Sequence, residues 1–138
     1  MPDALPPKPV PDPDSEPYWN ALKEERLLVQ RCRDCGETQL YFRAVCRSCW
    51  SRDVEEVEAS GKGTVYSYSI SYSVGDPALK AELPYAIVMV DLEEGARVLS
   101  RLDGDPDAVR IGDAVVATFR RIDDEATLLH FRPAGDGE

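Results

Sequence analysis

The chain has 138 residues, of which 43% are apolar, and a formal net charge of −10. That length fits one modest domain, or a small module joined to a slightly larger one, with enough apolar residues for a core. No apolar run of about 18 residues occurs, which argues against a spanning helix. The start MPDALPPKPV lacks a basic n-region and an apolar h-region, so no secretory signal is read there and a cytoplasmic location is expected.

Residues 1–17 hold seven prolines, from Pro2 to Pro17. Proline lacks a backbone donor and fixes φ, so the segment reads as an extended arm of polyproline character. A loose terminus is the favoured reading, ahead of a docking arm. In SEPYWNALKEERLLVQRC, Ser15 suits an N-cap, and Glu16 and Pro17 suit a first turn. Trp19, Leu22 and Arg26 follow at helical spacing. A helix over 16–25 is expected, followed by a strand, RLLVQRC, that feeds the first cysteine pair.

Four cysteines follow in CRDCGETQLYFRAVCRSCW: Cys32 and Cys35, then Cys46 and Cys49, two C-x-x-C pairs with ten residues between them. The six arginines from Arg26 to Arg52 are met there by Asp34 and Glu37 alone, a local +4 that leaves −14 on the rest. The acidic stretch DVEEVEASGKG then reads as a junction ending in Gly61 and Gly63. From Thr64 the pattern alternates strictly, with Tyr66, Tyr68, Ile70 and Tyr72 on one face and Val65 and serines on the other. That is a strand with one buried and one solvated face. ALKAEL reads as a loop. PYAIVMVDL, ARVLSRL, AVVATFRRI and TLLHFRP read as four more strands, and AGDGE as a loose tail. Five short strands with a long third-to-fourth connection fit a closed Greek-key barrel of the OB type better than an open sheet or sandwich.

Each C-x-x-C lets two thiolates converge on one ion from a tight knuckle. Two knuckles give the tetrahedral S₄ set that zinc takes in closed structural sites. Gly36 suits a knuckle that turns through positive φ, while Trp50 holds the corresponding place in the second pair. Arg31, Arg33, Arg43 and Arg47 are placed to offset the formal charge of −2 on such a site. A redox C-x-x-C would open a helix in a βαβ unit, which this pattern lacks. Iron fits S₄ chemically, but the short spacing favours a zinc ribbon. With four cysteines the shell is closed, so the zinc is expected to be structural and to drive folding of a segment poor in apolar residues.

Other catalytic signals are thin. His130, the only histidine, sits between Leu129 and Phe131 and reads as a packed or rim residue. There is no Gly-x-Ser-x-Gly elbow, phosphate loop or dinucleotide fingerprint. The chain is therefore expected not to be an enzyme by itself. Tyr66, Tyr68 and Tyr72 could stack bases as OB-folds do, but the charge of −10 disfavours a single-stranded nucleic-acid binder, so they are read as barrel core and rim, with rings packed and hydroxyls wet. Tyr41, Phe42 and Trp50 have little ribbon core to hide in. They either cover the barrel or form an apolar patch for a partner.

The succession PYWNAL, LLVQRCRDCG, RAVCRSCW, EASGKGTVYSYSI, LPYAIVMVDLEEGARVLSRL, RIGDAVVATF and LLHFRP resembles the family of acyl-CoA-associated proteins with a rubredoxin-like zinc ribbon and an OB-fold. The resemblance covers residues 17–133. It implies a mainly β chain with an N-terminal helix and ribbon over 18–57, an OB barrel over 58–133, a proline-rich arm over 1–17 and a tail over 134–138. It also implies a non-catalytic accessory subunit of a hetero-oligomer. The partner would be a thiolase-superfamily enzyme acting on acyl-CoA thioesters, in one branch an aldolase that removes a steroid side chain. A MaoC-like enoyl-CoA hydratase is the alternative partner. Cys32, Cys35, Cys46 and Cys49 match the family's metal ligands. The sequence departs at Trp50, where glycine is common, and at Tyr41–Phe42, where prolines are common. Trp19, Tyr41, Phe42, Arg43, Arg47 and Trp50 are the expected partner-facing residues, with the arginines set against acidic partner surface or CoA phosphates.

Overall fold

The computed structural model describes residues 7–134, so the ends of the arm (1–6) and tail (135–138) lie outside the described residues. Helix α1 (Glu16–Lys23) has Pro17 in its first turn and buries Ala21 and Leu22. The Asp12 carboxylate accepts the Ser15 amide at 2.8 Å and fixes the helix entry. The helix ends where Glu25 turns to φ 58 and the Arg26 amide reaches back to the Ala21 carbonyl at 2.9 Å. These bonds satisfy carbonyls that the last turn leaves free.

The chain then builds a three-stranded sheet in the order β2–β1–β3 from β1 (Leu28–Cys32), β2 (Thr38–Gln39) and β3 (Val54–Glu58). Strand β3 lies in the acidic stretch expected to be a junction. It pairs with β1 over its whole length, from Leu28↔Glu58 to Cys32↔Val54. Its acids therefore lie opposite the arginines. Arg33 meets Asp53 at 3.2 Å and Glu55 at 3.5 Å, and Arg26 meets Glu58 at 3.2 Å. Two of the six arginines, Arg26 and Arg33, are thus paired with these acids, whereas Arg43 and Arg47 are in no ion pair among the described residues.

Five strands follow: β4 (Lys62–Ser71), β5 (Tyr85–Leu92), β6 (Arg97–Leu102), β7 (Ala114–Arg121) and β8 (Thr127–Pro133). They close in the order β4–β5–β6–β8–β7, with β7 returning to β4. Only β6 and β8 run parallel. This is the expected OB barrel. The expected loop before β5 contains one helical turn, α2 (Pro77–Lys80), capped by the Asp76 side chain.

Alternation decides the core. Strand β5 buries Ala86, Val88, Val90 and Leu92, while Met89 faces out. In β4, Val65 points inward, while Tyr66 and Tyr68, expected in core and rim, face outward, as does Tyr72 just past the strand's end; a bulge lies between Val65 and Ser67. Gly63 sits where β4 pairs with both neighbours. A Cβ there would stand 2.6 Å from Val90 Cγ1 and 2.7 Å from the Asp91 carbonyl, so only glycine fits. One apolar cluster runs from Leu22, Leu27 and Val29 into Val88, Val90 and Phe131, so ribbon, helix and barrel share a core. Thr38 Oγ1 adds a hydrogen bond to the Glu94 carbonyl at 3.0 Å.

Candidate metal centre and its surroundings

The metal centre forms at the end of β1, where Cys32 closes the strand. Two turns of matching geometry follow. In the first, the Gly36 amide donates to the Cys32 carbonyl at 2.9 Å and the Cys32 amide to the Glu37 carbonyl at 2.9 Å. In the second, the Trp50 amide donates to the Cys46 carbonyl at 3.0 Å and the Cys46 amide to the Ser51 carbonyl at 2.8 Å. The four Sγ atoms lie within 4.8 Å of one another. Cys32 Sγ is 3.5 Å from Cys49 Sγ, and Cys35 Sγ is 3.6 Å from Cys46 Sγ. Zinc–sulfur bonds of about 2.3 Å place tetrahedral sulfurs about 3.8 Å apart, so the cluster fits a zinc ion.

Electrostatics prepare the sulfurs unequally. The Cys35 amide donates to Cys32 Sγ at 3.4 Å and the Ser48 amide to Cys46 Sγ at 3.3 Å. Backbone amides of Cys49 and Ser48 hold the Cys46 thiol down to about 6, and the Cys35 amide chiefly lowers Cys32. At Cys35 the Glu37 amide pulls downward, but burial and the neighbouring sulfurs outweigh it and push the thiol up to about 12. A zinc ion would lift that mutual repulsion by holding all four as thiolates.

Two buried glutamines, which sequence reading passed over, brace the loop between the knuckles. Gln30 and Gln39 face each other across β1 and β2, and Gln39 Nε2 donates to Gln30 Oε1 at 2.7 Å. Gln30 also accepts the Arg43 amide and donates to the Arg43 carbonyl, both at 3.0 Å. Gln39 donates to the Val45 carbonyl at 3.2 Å and accepts the Arg47 amide at 2.9 Å. These side chains supply the peptide-like groups that an irregular loop needs at its buried side.

The expected partner-facing residues divide. Tyr41 is 58% exposed and Trp50 79% exposed, and Arg43 and Arg47 also face solvent. Trp19 is half-buried against the core. Phe42, expected on the same surface, is instead only 8% exposed. Helix α1 covers it, with the Tyr18 ring centroid 5.7 Å away. Phe42 therefore belongs to the joint between helix and ribbon.

His130 is buried and its Nδ1 lies 2.8 Å from the Asp103 carboxylate. Burial lowers its pKa against the pull of Asp103, with Arg101 and Arg120 also opposing the charge, so the neutral ring donates from Nδ1. Beside it, Glu82 binds Arg120 through two hydrogen bonds of 2.6 and 2.9 Å and Arg101 through one of 2.7 Å. The charges of this cluster satisfy one another and hold the segment before β5 against the barrel.

Comparison with known proteins gives matches across both modules. Residues 19–55 match the family model "ChsH2, rubredoxin-like zinc ribbon domain" and residues 56–120 match "ChsH2, C-terminal OB-fold domain". A solved structure titled "Ltp2-ChsH2(DUF35) aldolase" superposes with a TM-score of 0.83 at 38% identity, covering 93% of this chain and 100% of that one. A probable enoyl-CoA hydratase alpha subunit of Thermomonospora curvata is 40% identical over 96% of this chain, which spans 41% of that protein's length. The benzoylsuccinyl-CoA thiolase subunit BbsA of Thauera aromatica is 33% identical over 77% of this chain and 74% of its own.

Proposed function

This chain belongs to the ChsH2 family of zinc-ribbon and OB-fold proteins, and we propose that it is the non-catalytic accessory subunit of an enzyme acting on acyl-CoA thioesters. Its partner on this reading is a thiolase-superfamily enzyme, with an aldolase as the favoured member. The observation that carries the proposal is that one ribbon-and-barrel module recurs in proteins named for an aldolase, a thiolase and a hydratase. These are different reactions, so the chemistry belongs to what differs between the assemblies and the shared module does something common to them. The site geometry supports this division. Cys32, Cys35, Cys46 and Cys49 are placed to hold zinc in a closed shell, and the ion supplies folding free energy to the ribbon. His130 is spent on Asp103.

The accessory chain would stabilise its partner and shape the approach to the partner's active site. Tyr41, Arg43, Arg47 and Trp50 are the ribbon residues we assign to that contact. Thiolate ligands suit a reducing compartment, in keeping with the cytoplasm. Among the described residues no helix is long and apolar enough to cross a membrane.

Co-expression with a thiolase-superfamily enzyme acting on acyl-CoA thioesters, followed by size-exclusion chromatography, tests the proposal. Co-elution and a rise in the enzyme's thermal stability or turnover are expected. Separate elution with both properties unchanged would sink it. A hydratase partner is the second reading, favoured by the Thermomonospora relative, and the same experiment with a MaoC-like hydratase separates the two. Salt-dependent binding of an oligonucleotide would instead point to the nucleic-acid reading.

A further inference from the structure

An apolar cavity of 390 Å³ opens where the N-terminal arm, α1, the ribbon loop and the barrel meet. Val10, Trp19, Tyr41, Val98, Leu99 and Leu128 line it. Val10 and Leu99 are left largely uncovered, Leu99 at 52% exposure. Leu99 also lines a second, shallower depression on the outer face of β4, β5 and β6, together with Tyr68 and Met89. Met89 pairs directly with Leu99 across the sheet. An apolar strip thus runs from the arm across the helix–ribbon joint and onto the barrel wall. A strip of this kind on a single chain marks a contact surface.

Charge says what would cover it. Asp12 lines the cavity, and the exposed Asp14 and Glu16 stand beside it in the chain. Among the described residues none of these three is in an ion pair, whereas Lys8, farther along the arm, is held by both Asp123 and Glu125. On the barrel side, Arg97 is taken up by Asp91 and stacks over Tyr66. The acids gather on the arm side of the strip, while on the ribbon side the exposed Arg43, next to Phe42, is in no ion pair among the described residues. A CoA thioester brings several phosphate charges, which the acids of the arm side repel. A second copy of a chain carrying −10 brings the same acidic border and meets the same repulsion.

We propose that this groove and strip dock a protein segment whose apolar side chains are flanked by lysine or arginine. The inference rests on the reading of the chain as an accessory subunit and adds where, and by what chemistry, the partner is gripped. Apolar anchors fill the cavity and lie along Leu99 and Met89, and the flanking cations meet Asp12, Asp14 and Glu16. The first contribution sets the lifetime of the complex, and the second sets its orientation and rate of encounter.

The test uses the zinc-loaded full chain. A fluorescent dodecapeptide with leucines at i, i+3, i+4 and i+7 and flanking lysines is titrated by anisotropy. Its glutamate-flanked counterpart and octanoyl-CoA serve as alternatives. The lysine peptide should bind, more weakly at high salt, and the other two should neither bind nor displace it. Leu99→Asp should weaken peptide binding at least tenfold with zinc content and melting temperature unchanged, and Tyr41→Ser should weaken it as well. The double change Asp14→Lys/Glu16→Lys should reverse the preference between the two peptides. Equal binding of both peptides, displacement by octanoyl-CoA, no binding at all, or concentration-dependent dimerisation lost in Leu99→Asp would each overturn the proposal. The co-eluting enzyme supplies a separate readout. If wild type binds it and Leu99→Asp binds it equally, the groove proposal fails while the accessory role stands. If wild type binds no enzyme, the accessory role fails and the peptide titration still decides the groove.

Discussion

Trp50 and Gly36 occupy equivalent stations in the two cysteine knuckles. Each follows the second cysteine of its pair, each turns to positive φ (67 and 80), and each amide closes the turn on the carbonyl of the pair's first cysteine. Glycine takes this conformation freely, whereas an L-residue with a Cβ is disfavoured there by about 1 kcal/mol. Trp50 is 79% exposed, so little packing offsets that cost. Trp50→Gly is therefore expected to raise the stability of the zinc-bound chain by about 1 kcal/mol in denaturant unfolding. If Trp50 is kept for a partner, the same variant should bind the partner enzyme about tenfold more weakly by calorimetry. A stabilised variant with unchanged affinity would remove Trp50 from the interface.

Zinc and Phe42 hold the ribbon in different ways, and two variants separate them. Cys32→Ser, or chelation of the wild type, should release the metal and open β1–β3 to hydrogen exchange while β5 and β7 stay protected. Phe42→Ala leaves all four sulfurs in place and should retain one zinc per chain. It empties a buried site between Tyr18 and the ribbon and should cost about 3 kcal/mol. If Phe42→Ala were neutral in unfolding yet weakened partner binding, Phe42 would belong to the surface after all.

Glu82 gives the fold an acid-sensitive clasp. Hydrogen bonds from Arg120, then Arg101, hold its carboxyl down to about 2 against burial, from an ordinary value of 4.5. A depressed carboxylate contributes stability that is complete above its unfolded value and is lost as the pH falls through the folded one. The contribution should be present above about pH 5 and vanish between about pH 4.5 and 2. Its size is at most about 3 kcal/mol, since the three side chains keep some contact with solvent. Glu82→Gln should lower stability at neutral pH and flatten the acid limb of the stability profile. A variant with the same acid limb as wild type would show that the clasp contributes nothing.

The barrel strands were legible in the sequence, by alternation from Thr64 and by the apolar run from Tyr85 to Leu92. Their inner faces were less so, since Tyr66, Tyr68 and Tyr72 read as core and rim yet stand exposed, and Met89, as apolar as Val88 and Val90, faces out. The cysteine spacing likewise announced the ribbon. Strand β3 was hidden because Val54 and Val57 are three residues apart, which breaks the period of two, and because its acids resemble a solvated linker. Its place is set by the ladder it makes with β1, more than twenty residues earlier in the chain. The burial of Phe42 was equally invisible, since what covers it is Tyr18 on the preceding helix.

Gln30 and Gln39 were missed for a related reason, as glutamine in a short polar stretch reads as surface. Gln39→Leu keeps much of the side-chain volume but leaves the Arg47 amide and the Val45 carbonyl without partners on the buried side of the loop. Leaving such groups unsatisfied should cost about 2 kcal/mol. The Arg47 amide lies next to Cys46, so loosening it should also speed zinc release to a chelating dye. Tyr41→Ser, on the exposed side of the same loop, should leave the release rate unchanged. Equal release rates for Gln39→Leu and wild type would mean that the metal alone shapes the loop and the glutamines merely follow it.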